Sequence, residues 1–300
     1  MSDSSISTGN FAELADGITL HYASCGEHGR PLALFVHGFP EYWAAWEDVL
    51  PRFADSFYAV APDLRGFNLS SQPPEVAAYK ARAIVADLAQ LIAKLGYDCA
   101  HVIGHDWGGA ACWQMAISLP KKVNTLSILN SPHPIPFARA LANDQEQQQA
   151  SAYMNWLRGP WAEKALAEDN FARMENMLRS LSRAQTGWLT EERLTRYREV
   201  WGRGLTGGLN YYRASPLYPP TTDDAGARKL KLDPNDFVVR VPTQIIWGMG
   251  DAALLPCLLD GLDELIPDLR IERLERATHW LVHEEPQLVA DLLREFFDSH

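Results

Sequence analysis

Little in this chain would tie it to an extracellular scaffold, a membrane or a nucleic acid. Its 300 residues include four cysteines, Cys25, Cys99, Cys112 and Cys257, without the paired spacing of a disulfide frame or a thiolate metal site. Cys99 and Cys112 sit in apolar strand and helix patterns, so all four read as reduced core residues. Met1 to Asn10 is polar and rich in serine, with no basic stretch followed by an apolar run. No uninterrupted apolar segment is long enough to cross a bilayer. The expectation is a cytoplasmic protein with no secretory signal and no membrane span. Positive charge is short as well: 27 Lys and Arg against 38 Asp and Glu give a formal net charge of −11. That argues against nucleic acid or an anionic membrane as the main partner and favours a neutral or weakly charged small molecule. Repeats and low-complexity tracts are lacking too. What remains, 47% hydrophobic and 22% charged residues, is ordinary enzyme composition, long enough for a sizeable core with an inserted second unit and compatible with a homo-oligomer.

Short apolar runs alternate with helical patterns through the first half, which predicts a mainly parallel sheet covered by helices. Strands are expected at Ile18 to Ala23, Leu32 to Val36, Tyr58 to Ala61, Ala100 to Gly104 and Val123 to Leu129. Tyr42 to Phe53 reads as a helix. Ala81 to Leu95 carries Ile84, Leu88, Leu91, Ile92 and Leu95 on one helical face, a spacing no strand could bury. After Asn130-Ser131-Pro132-His133-Pro134 the pattern changes to helical segments rich in Gln, Arg, Glu and Trp, broken at Gly159-Pro160, Gly202 to Gly208 and Pro216 to Pro220. The sheet resumes at Val241 to Trp247, followed by a helix near Cys257 to Leu265, a strand at Leu269 to Leu274 and a final helix from Pro286 to Phe297. The division expected is therefore a core formed by 1–134 and 237–300, with 135–236 an all-helical lid.

The most informative residue is Asp106, at the centre of Gly104-His105-Asp106-Trp107-Gly108-Gly109. An apolar strand ends in a turn flanked by small residues, and a helical pattern follows at once. This is similar to the nucleophile elbow of an α/β-hydrolase with Asp in the usual place of Ser. The glycines permit the sharp turn and close backbone approach that leave the central side chain projecting from the sheet edge. A carboxylate is already ionised at neutral pH and is suited to displacing a leaving group from saturated carbon, which makes an ester of the protein itself. Hydrolysis of that ester needs a base. A plain turn residue or helix cap would not require glycine on both sides.

The acid of such a site should follow the strand after the lid, where Ile245-Ile246-Trp247-Gly248-Met249-Gly250-Asp251 offers Asp251. The base should follow the last strand, where Glu275-Arg276-Ala277-Thr278-His279-Trp280 offers His279. The order nucleophile, acid, histidine is that of the α/β-hydrolases. Asp251 would accept one imidazole N–H and leave the other nitrogen to activate water. His283 competes, but a residue one turn later should point back along the following helix. His279-Trp280-Leu281-Val282-His283 lacks the glutamate that a zinc-binding helix carries after its first histidine, and neither metal nor cofactor is expected. Glu284 and Glu285 read as solvated residues at a helix start. In His37-Gly38-Phe39-Pro40-Glu41 the Phe39 N–H would join that of Trp107 in an oxyanion hole, and the Phe39-Pro40 bond is a candidate for cis. His37 and Glu41 read as residues of a tight loop and nothing more, and His105 as a packed or hydrogen-bonded neighbour.

These segments, with Asp63-Leu64-Arg65-Gly66 and Leu209-Asn210-Tyr211-Tyr212-Arg213, resemble the α/β-hydrolase epoxide hydrolases and, more distantly, the haloalkane and fluoroacetate dehalogenases that share an aspartate nucleophile. The resemblance runs from about Phe11 to the last helix. It implies hydrolysis of epoxides to vicinal diols, with two lid tyrosines that bind and protonate the epoxide oxygen: Tyr212, and Tyr153 in Ala152-Tyr153-Met154-Asn155-Trp156. Opening the ring leaves an alkoxide that a phenol can protonate, whereas a halide departs already stable. Two departures matter. Phe67-Asn68 replaces an aromatic-glycine pair, a turn that asparagine can preserve because it tolerates the left-handed conformation. Trp107-Gly108-Gly109-Ala110 lacks the arginines with which fluoroacetate dehalogenases hold a carboxylate. Phe39, where one dehalogenase group carries Asn, favours an epoxide; Asn155-Trp156 keeps dehalogenation of a haloalkane or haloacid as the alternative. A ligand sensor on the same fold would be expected to show a broken triad, and this one is whole.

Overall fold

The computed structural model describes residues 5–182 and 186–300. Its framework is one eight-stranded sheet made of β1 (Ser7–Glu13), β2 (Thr19–Cys25), β3 (Leu32–Val36), β4 (Tyr58–Pro62), β5 (Ala100–His105), β6 (Val123–Leu129), β7 (Thr243–Gly248) and β8 (Leu269–Leu274). The strand order is β1-β2-β4-β3-β5-β6-β7-β8. β2 runs antiparallel to both β1 and β4, and every other pair is parallel. β3 and β5 are buried along their whole length, the signature of central strands covered on both faces. β8, at the edge, is only half-buried.

The helices are α1 (Ala81–Lys94), α2 (Trp107–Ser118), α3 (Pro134–Asn143), α4 (Gln145–Ala150), α5 (Ala152–Leu157), α6 (Ala162–Leu181), α7 (Glu191–Trp201), α8 (Thr206–Ala214), α9 (Leu281–Glu284) and α10 (Pro286–Asp298). α1 packs on α2, and α2 lies against β5 and β6; Ile84, Leu88, Leu91 and Ile92 point inward, as their spacing predicts. α6 is interrupted by non-helical backbone from Glu168 to Phe171. Among the described residues between β6 and β7 there are helices and 3₁₀ turns but no strand, and none of the described helices is long and apolar enough to cross a membrane.

Two local expectations are corrected, and one strand was not expected. Tyr42 to Phe53 is not an α-helix but two 3₁₀ turns, Trp43–Trp46 and Leu50–Phe53, because Pro51 has no N–H to return to an earlier carbonyl. Cys257 to Leu265 forms only the turn Pro256–Leu259; Gly261, at φ +77°, turns the chain away from helix. β1 carries no apolar alternation and is mostly exposed. It exists because β2 offers a free edge for an antiparallel ladder.

Candidate active site

β5 ends at His105 and α2 begins at Trp107, which leaves Asp106 alone to make the turn, at φ 51° and ψ −124°. Such a conformation is costly for a residue with a side chain and persists only where the surroundings over-determine it. Here the Asp106 carbonyl accepts from the Ala110 N–H at 3.0 Å and from the Ser131 hydroxyl at 2.7 Å. Gly108 backs onto β3 so closely that a Cβ would lie 2.2 Å from the Val36 carbonyl oxygen. The glycine requirement inferred from the motif is thus a packing requirement.

The Asp106 carboxylate is oriented from both sides. Its Oδ1 accepts the Phe39 N–H at 2.8 Å, and its Oδ2 lies 3.8 Å from Nε2 of His279. The other imidazole nitrogen, Nδ1, is 2.7 Å from Oδ2 of Asp251. An ionised carboxylate only accepts hydrogen bonds, so Nδ1 carries the proton in that contact. Asp251 is buried, and its remaining acceptor sites are taken: Oδ1 by the Ala253 and Leu254 N–H groups at 2.8 and 3.0 Å, Oδ2 also by the Asn130 amide at 2.7 Å. Asn130 in turn accepts the Gly248 N–H at 2.7 Å, so one side chain joins the end of β6 to the loop that carries the acid.

Charge follows from this geometry. Burial alone would raise the Asp251 carboxyl, but the His279 charge and hydrogen bond, with the two backbone N–H groups, bring it below its usual value. Burial alone would lower the His279 imidazole. Asp251, by charge and hydrogen bond, and then the charges of Asp106 and Glu41, outweigh that and lift it to about 9. The resting site therefore holds an imidazolium between two carboxylates.

His283 stands elsewhere. Its Nε2 is 2.7 Å from Oε1 of Glu41, and its ring stacks on Trp188 with centroids 4.1 Å apart. Glu41, 1% exposed, also accepts the Tyr197 hydroxyl at 2.6 Å, and its Oε2 is 3.6 Å from Nδ1 of His105. His105 donates through Nε2 to the His279 carbonyl at 2.8 Å. Burial would push the Glu41 carboxyl up, but the charge of His283 and the contacts with both histidines hold it well below the ordinary carboxylate range. A buried cluster thus runs from α7 to the backbone of His279. His105 is a hydrogen-bonded neighbour, as expected; Glu41 is more than a loop residue, and a glutamate directly after His-Gly-Phe-Pro was the one signal available for it. Glu284 is not a solvated residue: it is half-buried and accepts both the N–H and the hydroxyl of Thr278, at 2.7 and 2.6 Å, which ties down the residue before His279.

The Phe39-Pro40 peptide is cis and Asn68 is left-handed at φ 46°, both as expected. The Trp107 N–H, at the first position of α2, has no acceptor within its own helix and lies beside the Asp106 turn. Tyr153 on α5 and Tyr212 on α8 face the same space, their ring centroids 6.2 Å apart. Tyr212 packs edge-on against Phe39 and Trp107 at 5.4 and 4.9 Å. Both tyrosines, with Asp106, Trp107, Phe137 and Met154, line a cavity of about 70 Å³. Burial pushes both hydroxyls above the ordinary phenol range, so both remain protonated donors at neutral pH.

The chain is similar to proteins of known type. The AB hydrolase superfamily protein YfhM of Bacillus subtilis is 33% identical over 288 residues, covering 95% of this chain and 96% of that protein. Epoxide hydrolase 1 of Caenorhabditis elegans is 32% identical over 290 residues, covering 94% of this chain and 69% of that protein. The crystal structure of the Bacillus megaterium epoxide hydrolase in complex with an inhibitor superposes with a TM-score of 0.87 at 33% identity, over 96% of this chain and all of that one. Residues 31–286 match the alpha/beta hydrolase fold family, and the chain belongs to that family.

Proposed function

We propose that the protein hydrolyses epoxides to vicinal diols through an alkyl ester of Asp106, with 135–236 serving as the lid and 1–134 with 237–300 as the catalytic core. The observation that carries this reading is that Asp106 and two phenols line one cavity while the His279–Asp251 pair stands beside the Asp106 carboxylate. The relatives named epoxide hydrolases support it.

In the first step an Asp106 oxygen attacks one epoxide carbon and the ring C–O bond breaks. Oδ1 is held by the Phe39 N–H, which leaves Oδ2 as the attacking atom. The departing oxygen takes a proton from Tyr212 or Tyr153, far stronger as a base than the phenolate it creates. The imidazolium proton of the resting site then returns the phenolate to phenol through water, and in the second step the neutral Nε2 of His279 takes a proton from water as the hydroxide adds to the ester carbonyl carbon. The resulting oxyanion lies towards the Phe39 and Trp107 N–H groups. Collapse breaks the acyl C–O bond and releases the diol, whose second oxygen came from Asp106. The new carboxyl proton passes to the departing diol oxygen, which leaves Asp106 ionised and His279 protonated as in the resting site.

Esterification also solves the problem of the raised imidazole. It removes the Asp106 charge, one of the supports of the imidazolium, so the base is liberated when it is needed. A halide would leave without a proton and give the phenols no task, and the Asn155 amide, a candidate halide donor, already commits one N–H to the Pro219 carbonyl at 2.9 Å. The test is a single turnover in water enriched in heavy oxygen. The label should enter an Asp106 peptide and not the diol; label in the diol of the first turnover would mean that water attacks the epoxide directly.

A further inference from the structure

Beside the catalytic cavity lies a second one of about 250 Å³. The two share Trp107, Ala110, Pro134, Ser215 and Leu217 in their walls, so they are neighbouring chambers of one space between α2 and the helices above it. The larger chamber extends to Ile84 of α1, Ala214 of α8 and Leu230, Leu232 and Phe237 of the segment before β7. Its wall contains no charged side chain.

The hydroxyls of that wall have work elsewhere. The Tyr79 hydroxyl donates to the Pro73 carbonyl at 2.8 Å, the Tyr211 hydroxyl to the Arg65 carbonyl at 3.0 Å, and the Ser215 hydroxyl accepts the Leu217 N–H at 3.1 Å. The side-chain amide of Gln114 has no hydrogen-bond partner among the described residues, and it faces this chamber. Asp106, Ala110 and Gln114 follow one another at intervals of four along α2, which places them on one helix face. At 1.5 Å of rise per residue, Gln114 lies about 12 Å from the nucleophile. The chamber therefore reads as a channel along one helix, with a nucleophile at one end and a free amide towards the other.

We infer that the larger chamber is a binding subsite for the long arm of the substrate, and that Gln114 reads an uncharged hydrogen-bonding group, such as an ester or amide carbonyl, near the end of that arm. Apolar walls favour a hydrocarbon chain by excluding water from it. An ionised end would be buried without a counter-charge, which is strongly unfavourable. A carbonyl at the right distance meets an amide donor already present and without a partner among the described residues. The substrate class is then a terminal epoxide on an extended apolar chain with a neutral polar function remote from the ring. This rests on the epoxide reading above and adds a selectivity that the reading does not require.

The test compares methyl 9,10-epoxydecanoate with 1,2-epoxydecane and 1,2-epoxypropane. Wild type should prefer the ester over epoxydecane in kcat/KM by roughly tenfold, the effect of one net hydrogen bond to a neutral group. Gln114→Leu should erase that preference. Ala214→Leu, which fills the larger chamber from a position outside the catalytic cavity, should lower both long substrates relative to epoxypropane. An unchanged ester preference in Gln114→Leu, or an unchanged ratio of long to short substrates in Ala214→Leu, overturns the inference while leaving epoxide hydrolysis intact. If wild type turns over none of the three, the proposed reaction is wrong. The subsite is then judged by calorimetric binding of methyl 9,10-dihydroxydecanoate against 1,2-decanediol: tighter binding of the ester in wild type but not in Gln114→Leu supports it, and equal binding in wild type rejects it.

Discussion

Gly38 stands against the carboxylate of Asp106 so closely that a Cβ at position 38 would lie 2.2 Å from Oδ1 and 2.4 Å from the Asp106 Cβ. Only a residue without a side chain lets the next peptide, that of Phe39, bring its N–H to the nucleophile. The backbone at Gly38 is not left-handed, so alanine would be tolerated by the loop and rejected by the carboxylate. Gly38→Ala should therefore unfold at nearly the wild-type temperature yet hydrolyse the Asp106 ester at least 10²-fold more slowly, the usual cost of losing one oriented oxyanion donor. Thermal unfolding and single-turnover mixing read the two quantities separately; a variant that hydrolyses the ester at the wild-type rate would show that the Phe39 contact has no catalytic weight.

The two-step chemistry separates Asp106 from His279. Asp106→Ala should give no turnover, because no other carboxylate is placed to form the ester. His279→Gln should still form it, since attack needs no base, and should then stall with the substrate mass added to Asp106 in intact-protein mass spectrometry. His283 provides the control. It binds Glu41, not Asp106 or Asp251, so His283→Gln should lower the rate without trapping the adduct. Trapping by His283→Gln but not by His279→Gln would reverse the assignment of the base.

Much of this arrangement was legible before any coordinates. Leu32–Val36, Val123–Leu129 and Leu269–Leu274 are strands at the expected limits, the first two as largely apolar runs bounded by turn formers or charge and the last as an edge strand in which Leu269 and Ile271 alternate with Arg270 and Glu272. Asp106, Asp251 and His279 could be picked because each follows a strand in the order the fold imposes, and the structure brings the three within hydrogen-bonding range of one another or nearly so. The cluster behind them was not legible. Glu41 meets His283 across 242 positions and Tyr197 across 156, and no local pattern announces a contact of that range. Asn130 sits in a run that reads as a turn, and its amide finds Asp251 only once β6 and β7 are adjacent. The 3₁₀ turns at Trp43–Trp46 and Leu50–Phe53 misled for the opposite reason: their apolar spacing is helical, but Pro51 breaks the ladder that spacing suggests.

Asn130 accordingly makes a sharp test of how the acid is held. Asn130→Ala would leave Asp251 with its two backbone donors but without the amide, and would leave the Gly248 N–H unpaired in the core. Removing a buried partner of this kind typically costs about 1–3 kcal/mol. The melting temperature should fall accordingly, and ester hydrolysis should slow more than alkylation, because only hydrolysis depends on the His279–Asp251 pair. Equal slowing of both steps would indicate general loosening of the site.

The pH dependence of the two steps should differ in sign and position. In the free enzyme His279 is lifted to about 9, so it is protonated at neutral pH and loses its proton only as the pH rises through that value. Alkylation requires the Asp106 carboxylate and no base, and should be flat across neutral pH. Ester hydrolysis requires neutral His279 and should accelerate with rising pH. Its midpoint should lie below about 9, since the neutral ester no longer supports the imidazolium. Quenched-flow measurement of ester decay against pH, beside an NMR titration of the His279 ring in the free enzyme, gives both midpoints. A hydrolysis midpoint at or above that of the free enzyme would mean that the Asp106 charge does not control the base.

The tyrosines decide whether the leaving group is an alkoxide. Tyr212 is fixed by Phe39 and Trp107, whereas Tyr153 meets it from the shorter α5, so both phenols can reach one oxygen but Tyr212 is the better oriented. Tyr212→Phe removes a proton donor that is needed only as the ring opens, and general acid catalysis is typically worth roughly 10² to 10⁴ in rate. Tyr153→Phe should cost less, because Tyr212 remains. The double variant should fall below either single one on an epoxide while changing little on a matched bromoalkane, whose bromide needs no proton. Single-turnover alkylation with styrene oxide and with that bromoalkane in wild type and the three variants reads the difference directly. A loss of the same size on both substrates would reduce the tyrosines to packing. Rapid bromide release by wild type with styrene oxide untouched would reassign the enzyme to dehalogenation, because the nucleophile and its base serve either leaving group and only the phenols distinguish them.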